Sequence, residues 1–285
     1  MIKKRYLWSV FVFMLMHMTS YGAMNLFSPT GGIPIDITSD DGMKIDQENQ
    51  VIIATGNATV VRQGVTLVAD RLVAFYEKDS EGNTNFWRID AEGNLKITSE
   101  DGVITGKTGT YDVRQEIVVI KGEPVVVTGD KGKVIAHKQI EYYDTERRII
   151  ARGAVEATSE DKTLLAEVAE VFLKPESENT QEGEGDNTLK AAEDMSSLAS
   201  DVDQVRAYTD ITLKNQDATV TGDRGIWFAD EEKATLTGKV QLEQDGNILN
   251  GCRAEVDTST GSSKLIGGDC NDKNQGVTGL FKNND

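Results

Sequence analysis

The sequence is poor in histidine and in basic residues, and each shortage removes a class of function. Only two of its 285 residues are histidines, so the usual His-based nucleophile and metal-binding arrangements cannot be assembled around His137. Lys and Arg total 30 against 47 Asp and Glu, a formal net charge of −17 with no compensating basic cluster. A field of this sign repels phosphate backbones. We therefore predict no enzymatic activity, no metal, no other cofactor and no nucleic-acid partner, although the many carboxylates leave a pair for sugar cleavage open.

Long hydrophobic runs are absent beyond the N-terminus. Lys3, Lys4 and Arg5 precede an apolar run over residues 6–18, and small residues at Ser20 and Gly22 fit a cleavage site. This pattern predicts a signal peptide over residues 1–22 and export of the rest of the chain. The alternative is an uncleaved membrane anchor, because the run is nearly long enough to span a bilayer.

Cysteine is also scarce. Cys252 and Cys270 are the only two, and an even count in an oxidising compartment predicts a disulfide that would stabilise the C-terminal end by about 3 kcal/mol. The alternative is two buried thiols that never meet, since the sequence does not fix the distance between their Cα atoms.

What the sequence does contain is a repeated phrase, first seen in "VIIATGNATVVRQG" (51–64). Apolar or small residues stand two and four positions before and after a glycine, with mostly polar residues between them. The glycines that centre the phrase are Gly56, Gly93, Gly122, Gly153 and Gly238. This period-two alternation is typical of strands with one buried face.

The alternation keeps one parity through each glycine, which predicts a glycine on the buried face of a continuous strand. An isolated glycine in a strand commonly marks a bulge or corner, so the sheet should curl. A hairpin turn is less consistent with the order Gly56-Asn57 and Gly93-Asn94, which reverses that of an Asn-Gly turn. Between the glycines lie further strands such as "VTLVADRLVAFY" (65–76). Such strand-turn-strand units of about 30 residues must stack on their neighbours to bury a face.

A longer repeat overlies the short one. "ADRLVAFY" (69–76) matches "AEVAEVFL" (166–173) at the offset that separates Gly56 from Gly153, and "RIDAEGNLKI" from Arg88 resembles "RAYTDITLKN" from Arg206. Between these matches the second copy carries a tract rich in Glu, Asp, Ser and Gly. We interpret residues 175–205 as an acidic, solvated insertion in a hairpin loop, with an acidic ligand loop as the alternative.

Three phrases resemble the OstA-like domain of the lipopolysaccharide-transport bridge proteins, the LptA family. They are "PIDITSDDGMKID" (34–46), "GNATVVRQGVTLVADRLVAFY" (56–76) and "ATLTGKVQLEQDGNILNGCRAEVDTSTGSSKLIGG" (234–268). The resemblance implies an all-β fold, an open twisted antiparallel β-jellyroll whose apolar groove holds acyl chains. It also implies a periplasmic carrier of lipopolysaccharide that joins inner-membrane LptC-like and outer-membrane LptD-like partners through edge strands, with head-to-tail self-association. An anchored LptC-like component is the alternative.

The chain is longer than the common family pattern, and two modules are one way to accommodate the excess. We predict a linker over 23–34, a first OstA-like module over 35–174, a second over 206–268 and a tail over 269–285. The predicted groove-lining residues share the parity of the repeat. They are Ile52, Ala54, Ala58, Val60, Leu67, Ile89, Leu95, Ile97, Val118, Ile120, Val126, Ile149, Val155, Leu213, Leu236, Val240 and Leu242.

Two alternatives to a lipid groove remain open at this stage. The apolar face could be a dry core, or the repeats could form a β scaffold or adhesin that binds nothing apolar. Trp87, Trp227 and Phe228 either fill the ends of the core, which we favour, or flank the groove mouth. Val60→Arg or Ile97→Asp distinguishes a lipid groove from a dry core, because a new charge abolishes lipid binding in an open groove but unfolds the protein if the site is a dry core.

Overall fold

The computed structural model describes residues 36–62, 64–80, 82–100, 102–130, 132–159, 162–175, 202–257, 262–267 and 276–282. Eighteen strands in this part of the chain form one sheet. The first nine are β1 (Asp36–Thr38), β2 (Gly42–Asp46), β3 (Val51–Arg62), β4 (Val65–Lys78), β5 (Thr84–Thr98), β6 (Gly102–Asp112), β7 (Ile117–Lys121), β8 (Val125–Gly129) and β9 (Gly132–Ala136). The others are β10 (Gln139–Tyr143), β11 (Arg148–Ser159), β12 (Lys162–Leu173), β13 (Val202–Lys214), β14 (Ala218–Phe228), β15 (Lys233–Gln244), β16 (Asn247–Asp257), β17 (Ser262–Ile266) and β18 (Thr278–Leu280).

The sheet is an antiparallel meander in which each long strand pairs with the next one along the chain. Short strands occur in pairs that share one long neighbour: β1 and β2 both pair with β3, and β17 and β18 both pair with β16. In the middle, β7 and β8 both pair with β6, and they pair in turn with β10 and β9. The predicted all-β, open antiparallel jellyroll is confirmed.

A line of bulges crosses the long strands and folds the sheet. On β3, Gly56 and Asn57 together lie opposite the single residue Asp70 of β4, because the register runs from Thr55–Arg71 to Ala58–Ala69. Both bulged residues have positive φ, +77° at Gly56 and 44° at Asn57. Equivalent pairs occur at Gly93-Asn94, Gly153-Ala154, Thr209-Asp210 and Gly238-Lys239. Bulges of this kind bend a strand, so the predicted curl is confirmed.

The glycines are needed because a neighbouring polar side chain lies against them. A Cβ on Gly56 would stand 2.5 Å from Asp41 Oδ2, and one on Gly93 would overlap the Asp70 carboxylate. Asn94 Nδ2 donates to both Asp70 oxygens at 2.9 and 3.1 Å, which fixes that carboxylate in place. The expectation that these glycines lie on the apolar face was therefore wrong: the two-residue bulge turns the backbone, and the missing side chain makes room for an exposed acidic one.

We expect Gly93→Ala to destabilise the protein by about 2–4 kcal/mol, because the new methyl group meets Asp70 and alanine disfavours positive φ. Gly82→Ala is the matched control, since Gly82 also has positive φ, 89°, but nothing lies within 4 Å of its Cβ position. That variant should cost only about 1 kcal/mol in urea-induced unfolding. Equal losses of stability in the two variants would contradict the contribution of Asp70.

One bulge has no glycine, and the sequence alignment missed it. Thr209 and Asp210 on β13 have φ of 65° and 52° and lie opposite Asp223 of β14. The equivalent bulge on β5 is Gly93-Asn94. Superimposing these two bulges shifts the alignment of the two strands by two residues from the sequence alignment that matches Arg88 with Arg206. The repeat in strands and bulges is therefore more regular than the repeat in residue types.

Two rows of inward-facing residues run across the sheet from edge to edge, one on each side of the bulge line. In what we call the lower row, each residue pairs directly with the next. Its members are Ile45, Ile52, Ala74, Ile89, Tyr111, Val118, Tyr142, Ile149, Val171, Val205, Trp227, Ala234 and Val256. The upper row is built in the same way. Its members are Ile37, Val60, Leu67, Ile97, Ile104, Val127, Val134, Ala157, Leu164, Leu213, Val220, Leu242 and Leu249.

The predicted signal peptide, the linker over 23–34 and most of the predicted insertion and tail lie outside the described residues. β13 begins at Val202, which pairs with Leu173 at the end of β12, so the last four residues assigned to the insertion belong to a strand. The sheet continues from β11 to β16 without interruption in its pairing.

Candidate functional site

The burial of the upper-row residues differs between the N-terminal and C-terminal parts of the sheet. Val60, Ile104 and Val127 are 2%, 1% and 3% exposed, and they belong to the main core together with residues of the lower row. From β12 onward the row contains leucines that are only partly buried. We call five of its members the C-terminal row: Leu164, Leu213, Val220, Leu242 and Leu249.

The C-terminal row is separate from the main core. The main core takes residues from both sides of the bulge line as far as β11, but beyond it only from the lower side, as at Trp227 and Val256. Within the described residues, the upper halves of β12–β16 instead pack in two small clusters, one around Val240 and one around Ile211, which also take residues such as Leu236 and Ala207 from below the bulge line. The main core thus joins both sides of the bulge line in the N-terminal part, whereas in the C-terminal part the leucines of the upper row stay outside it and are only partly buried.

Most of the predicted groove-lining residues do face inward, but they divide between these two environments. The first set lies in the main core or packs against it. It comprises Ile52, Ala54, Ala58, Val60, Leu67, Ile89, Leu95, Ile97, Val118, Ile120, Ile149 and Val155. Leu213, Leu236, Val240 and Leu242 belong to the small clusters. Sequence reasoning missed Leu164, Val220 and Leu249, whose signal was the same alternation in the strands that lack the repeat glycine.

Val126 was assigned to the wrong face. Val125 and Val127 are 0% and 3% exposed and belong to the main core, whereas Val126 is only partly buried. The parity changes because Gly122, Glu123 and Pro124 interrupt the strand between β7 and β8. The alternation counted through Gly122 therefore does not carry across to β8.

Both edges of the sheet carry exposed apolar side chains. At the N-terminal edge, Met43 and Ile45 of β2 are 45% and 60% exposed although they face the same way as the lower-row residues. At the C-terminal edge, Leu280 and Phe281 are 66% and 68% exposed, and β18 pairs with β16 over only three residues. Unpaired edge strands are docking sites for further strands.

The aromatic residues do not form the predicted cluster. Trp227 is buried in the main core, as expected, but Phe228 faces the other side of the sheet and is 39% exposed. Trp87 packs against Phe75 with ring centroids 5.3 Å apart, and Arg114 lies over its ring at 5.0 Å. None of the three lines the C-terminal row. His137 is exposed between β9 and β10.

A buried carboxylate lies on the outer face, away from the C-terminal row. Glu141 is 6% exposed and accepts hydrogen bonds from Arg152 Nε at 2.8 Å, Gln139 Nε2 at 2.5 Å and Tyr143 Oη at 2.9 Å. Burial by itself would raise its pKa, but these donors, with Arg152 first, outweigh burial and hold the pKa of Glu141 below its usual 4.5. The hydrogen-bond donors to Glu141 all belong to the protein itself, so we assign Glu141 a structural role.

We expect Glu141→Gln to lower the free energy of unfolding at pH 7 by about 1–3 kcal/mol, because the ionised form accepts charge-assisted hydrogen bonds. A depressed pKa in the folded state stabilises the protein above the unfolded-state value and loses this effect as pH falls through the folded-state value. The difference between variant and wild type should therefore shrink below about pH 4 in urea titrations. A difference that is the same at pH 7 and pH 3 would contradict the role of ionised Glu141.

Cys252 lies at the bulge line on β16 and is disulfide-bonded. Cys270, its predicted partner, lies outside the described residues. Within the described residues, no group of three His, Cys, Asp or Glu is placed to hold a metal ion. No helix in this part of the chain has the length and hydropathy needed to cross a bilayer.

The fold and the site define a class of protein: an open β-jellyroll with an apolar inner face. A family model described as "LptA/(LptD N-terminal domain) LPS transport protein" matches residues 36–148 and again 135–262. The chain therefore belongs to the LptA/LptD N-terminal domain family of lipopolysaccharide transport proteins, a family named for transport rather than for catalysis.

Two relatives add context to the family match. An uncharacterised protein of Rhizobium meliloti (strain 1021) is 31% identical over 102 residues, which is 34% of this chain and 54% of the relative. The chain thus spans about half the length of that curated relative. The crystal structure of LptH of Pseudomonas aeruginosa, described as "the LptA homologous periplasmic component" of a lipopolysaccharide transport device, is similar over 88% of this chain and 96% of that chain. Its identity is 9% and its TM-score 0.21.

Proposed function

We propose that this protein is a periplasmic carrier that shields the acyl chains of lipopolysaccharide on the apolar inner face of its sheet. The observation that carries the proposal is the C-terminal row, in which four partly exposed leucines flank the buried Val220 across five paired strands outside the main core. Family membership supplies the kind of lipid. The packed N-terminal part of the sheet serves as the scaffold that holds this row in register.

The dimensions of the C-terminal row suit an extended hydrocarbon. Neighbouring strands lie about 4.8 Å apart, so five strands span about 19 Å, roughly the length of a chain of a dozen or more carbons. The row runs across the strands, along the direction in which the sheet grows, so a bound chain points towards the sheet edges. At about 0.8 kcal/mol per buried methylene, such a chain gains about 10 kcal/mol before the costs of ordering are subtracted.

The sheet edges fit the partners expected of such a carrier. Strand addition to the edge formed by β1 and β2, or to that formed by β17 and β18, would extend the apolar face from one subunit to the next. We propose that LptC-like and LptD-like partners, and further copies of this chain, bind in this way. The exposed Met43 and Ile45 at one edge and Leu280 at the other would be covered in such a contact.

Native mass spectrometry tests this function. The exported chain is mixed with lipopolysaccharide and, separately, with a phospholipid of similar chain length. A selective lipopolysaccharide adduct supports the carrier. Bare protein at every lipid concentration contradicts it and favours the alternative, a β scaffold that binds nothing apolar.

A further inference from the structure

One cation stands on the inner face at the upper end of the C-terminal row. Lys162 is the first residue of β12 and precedes Leu164 by two positions, so both side chains leave the same face of the sheet. It pairs with Ser159 of β11, while Leu164 pairs with Ala157. Lys162 is partly buried, in contrast to the exposed lysines Lys133 and Lys214 of neighbouring strands.

The described inward-facing residues level with Lys162 are uncharged. Ser159 is 8% exposed, and the positions two residues above the other members of the row are Asn215, Ala218, Gln244 and Asn247. Apart from Ala218 these border positions, the polar rim of the row, are polar, and Lys162 is the one cation among them; Lys282 lies near the far end of the border, where its backbone N donates to Asn247 Oδ1. Glu160 and Asp161 precede Lys162 in the chain and lie outside the described residues.

Lys162 makes no ion pair among the described residues, although the protein carries 47 acidic side chains. A cation at the border of an apolar surface, with no counter-charge among the described residues, is suited to an anionic group of the ligand, because partial exclusion of water strengthens the attraction.

We propose that Lys162 binds an anionic group, a phosphate or a carboxylate, on the headgroup of a lipid whose chain occupies the C-terminal row. The inference rests on the proposed function, since it needs an acyl chain in the row. The chain fixes the position of the headgroup at the polar rim, and the Lys162 ammonium then selects anionic over neutral headgroups. Lys162 is thus a specificity-determining residue rather than the main source of affinity.

Three single-chain amphiphiles with the same tail test the proposal: dodecyl phosphate, dodecanoate and dodecyl maltoside, each titrated below its micelle concentration into the purified protein. We expect Lys162→Gln to weaken binding of at least one of the two anions by about 10-fold and to leave dodecyl maltoside within about twofold of wild type. The larger loss identifies phosphate or carboxylate as the preferred group. Lys162→Arg should restore most of the lost affinity, and wild-type binding of the preferred anion should weaken with added salt.

Lys214→Gln is the matched control. Lys214 follows Leu213 directly, so it faces the opposite side of the sheet at nearly the same height, and its removal changes the net charge equally. An equal loss in both variants would reduce the effect to net charge and overturn the proposal. So would unchanged binding of both anions in Lys162→Gln, the result expected if Glu160 or Asp161 neutralises the lysine. If no amphiphile binds the wild-type protein, the proposed function itself fails, an outcome that is distinct from a loss of selectivity.

Discussion

Val60→Arg should unfold the protein. Val60 is 2% exposed and packs in the main core between Ile37 of β1 and Leu67 of β4. An arginine there would bury a charge without a partner or push the core apart, at a cost of more than about 4 kcal/mol. We expect loss of the cooperative urea transition, together with a near-UV circular dichroism spectrum of an unpacked protein. Ile97→Asp, which places a charge at a position 8% exposed in the same core, should behave in the same way.

Val61→Arg supplies the control for this variant. Val61 is the next residue of β3, faces the other side of the sheet and is 41% exposed, so its arginine reaches water. This variant should stay within about 0.5 kcal/mol of the wild type. If Val60→Arg remained folded and lost only lipid binding, the N-terminal part of the sheet would be an open groove and the dry core described above would be wrong.

Leu242→Arg should abolish acyl-chain binding while the protein stays folded. Leu242 is the fourth of the five residues of the C-terminal row, between Val220 and Leu249, is only partly buried and packs against a small cluster outside the main core. Its replacement should cost about 1–2 kcal/mol of stability, because the longer side chain extends to the polar rim. A charged group in the path of the hydrocarbon should lower affinity at least about 100-fold. Dodecyl maltoside titration and native mass spectrometry with lipopolysaccharide both measure this loss.

Gln241→Arg tests whether the loss of lipid binding depends on the position of the new charge or only on its presence. Gln241 precedes Leu242 on β15, is exposed on the opposite face, and its side chain donates to Asn250 Oδ1 at 3.0 Å. Its variant adds the same charge and should bind lipid as the wild type does. Binding that survives in Leu242→Arg would remove the C-terminal row as the site and leave the exposed edges as the remaining apolar surface.

These two predictions assign different roles to the N-terminal and C-terminal parts of the sheet. The N-terminal part has a core in which both sides of the bulge line meet, and this part resists substitution for the reasons that apply to any buried core. The C-terminal part gives up some of that burial, and the apolar area left uncovered is the area that a ligand can cover. We expect this arrangement to lower the local stability of β12–β16, and the disulfide at Cys252 to offset part of that loss.

Much of this architecture follows from local sequence pattern. Period-two alternation around Gly56 and Gly93 predicted continuous strands with one apolar face, and the isolated glycines predicted the bend. Both features depend on a residue and its near neighbours in the chain, through the alternation of side chains and the freedom of glycine at positive φ. The family resemblance, carried by three phrases, gave the open jellyroll.

Other features depended on partners that are distant in sequence. The glycine requirement at Gly93 comes from Asp70 on the neighbouring strand, and the glycine-free bulge at Thr209 is held by its register with Asp223. Val126 was misplaced because a break between two short strands reset the alternation. In each case the determining contact lies across the sheet, where a local pattern carries no information about geometry.

The sequence by itself determined that this protein is an acidic, all-β repeat with a continuous apolar face, because alternation and composition are properties of the chain. Only the tertiary structure decided which part of that face is core and which part is a candidate binding surface. Val60 and Leu242 follow the same pattern in the sequence, yet Val60 is 2% exposed in the main core and Leu242 is only partly buried beside a small cluster. Burial depends on which side chains from distant strands pack against a residue, and local alternation carries no information about that packing.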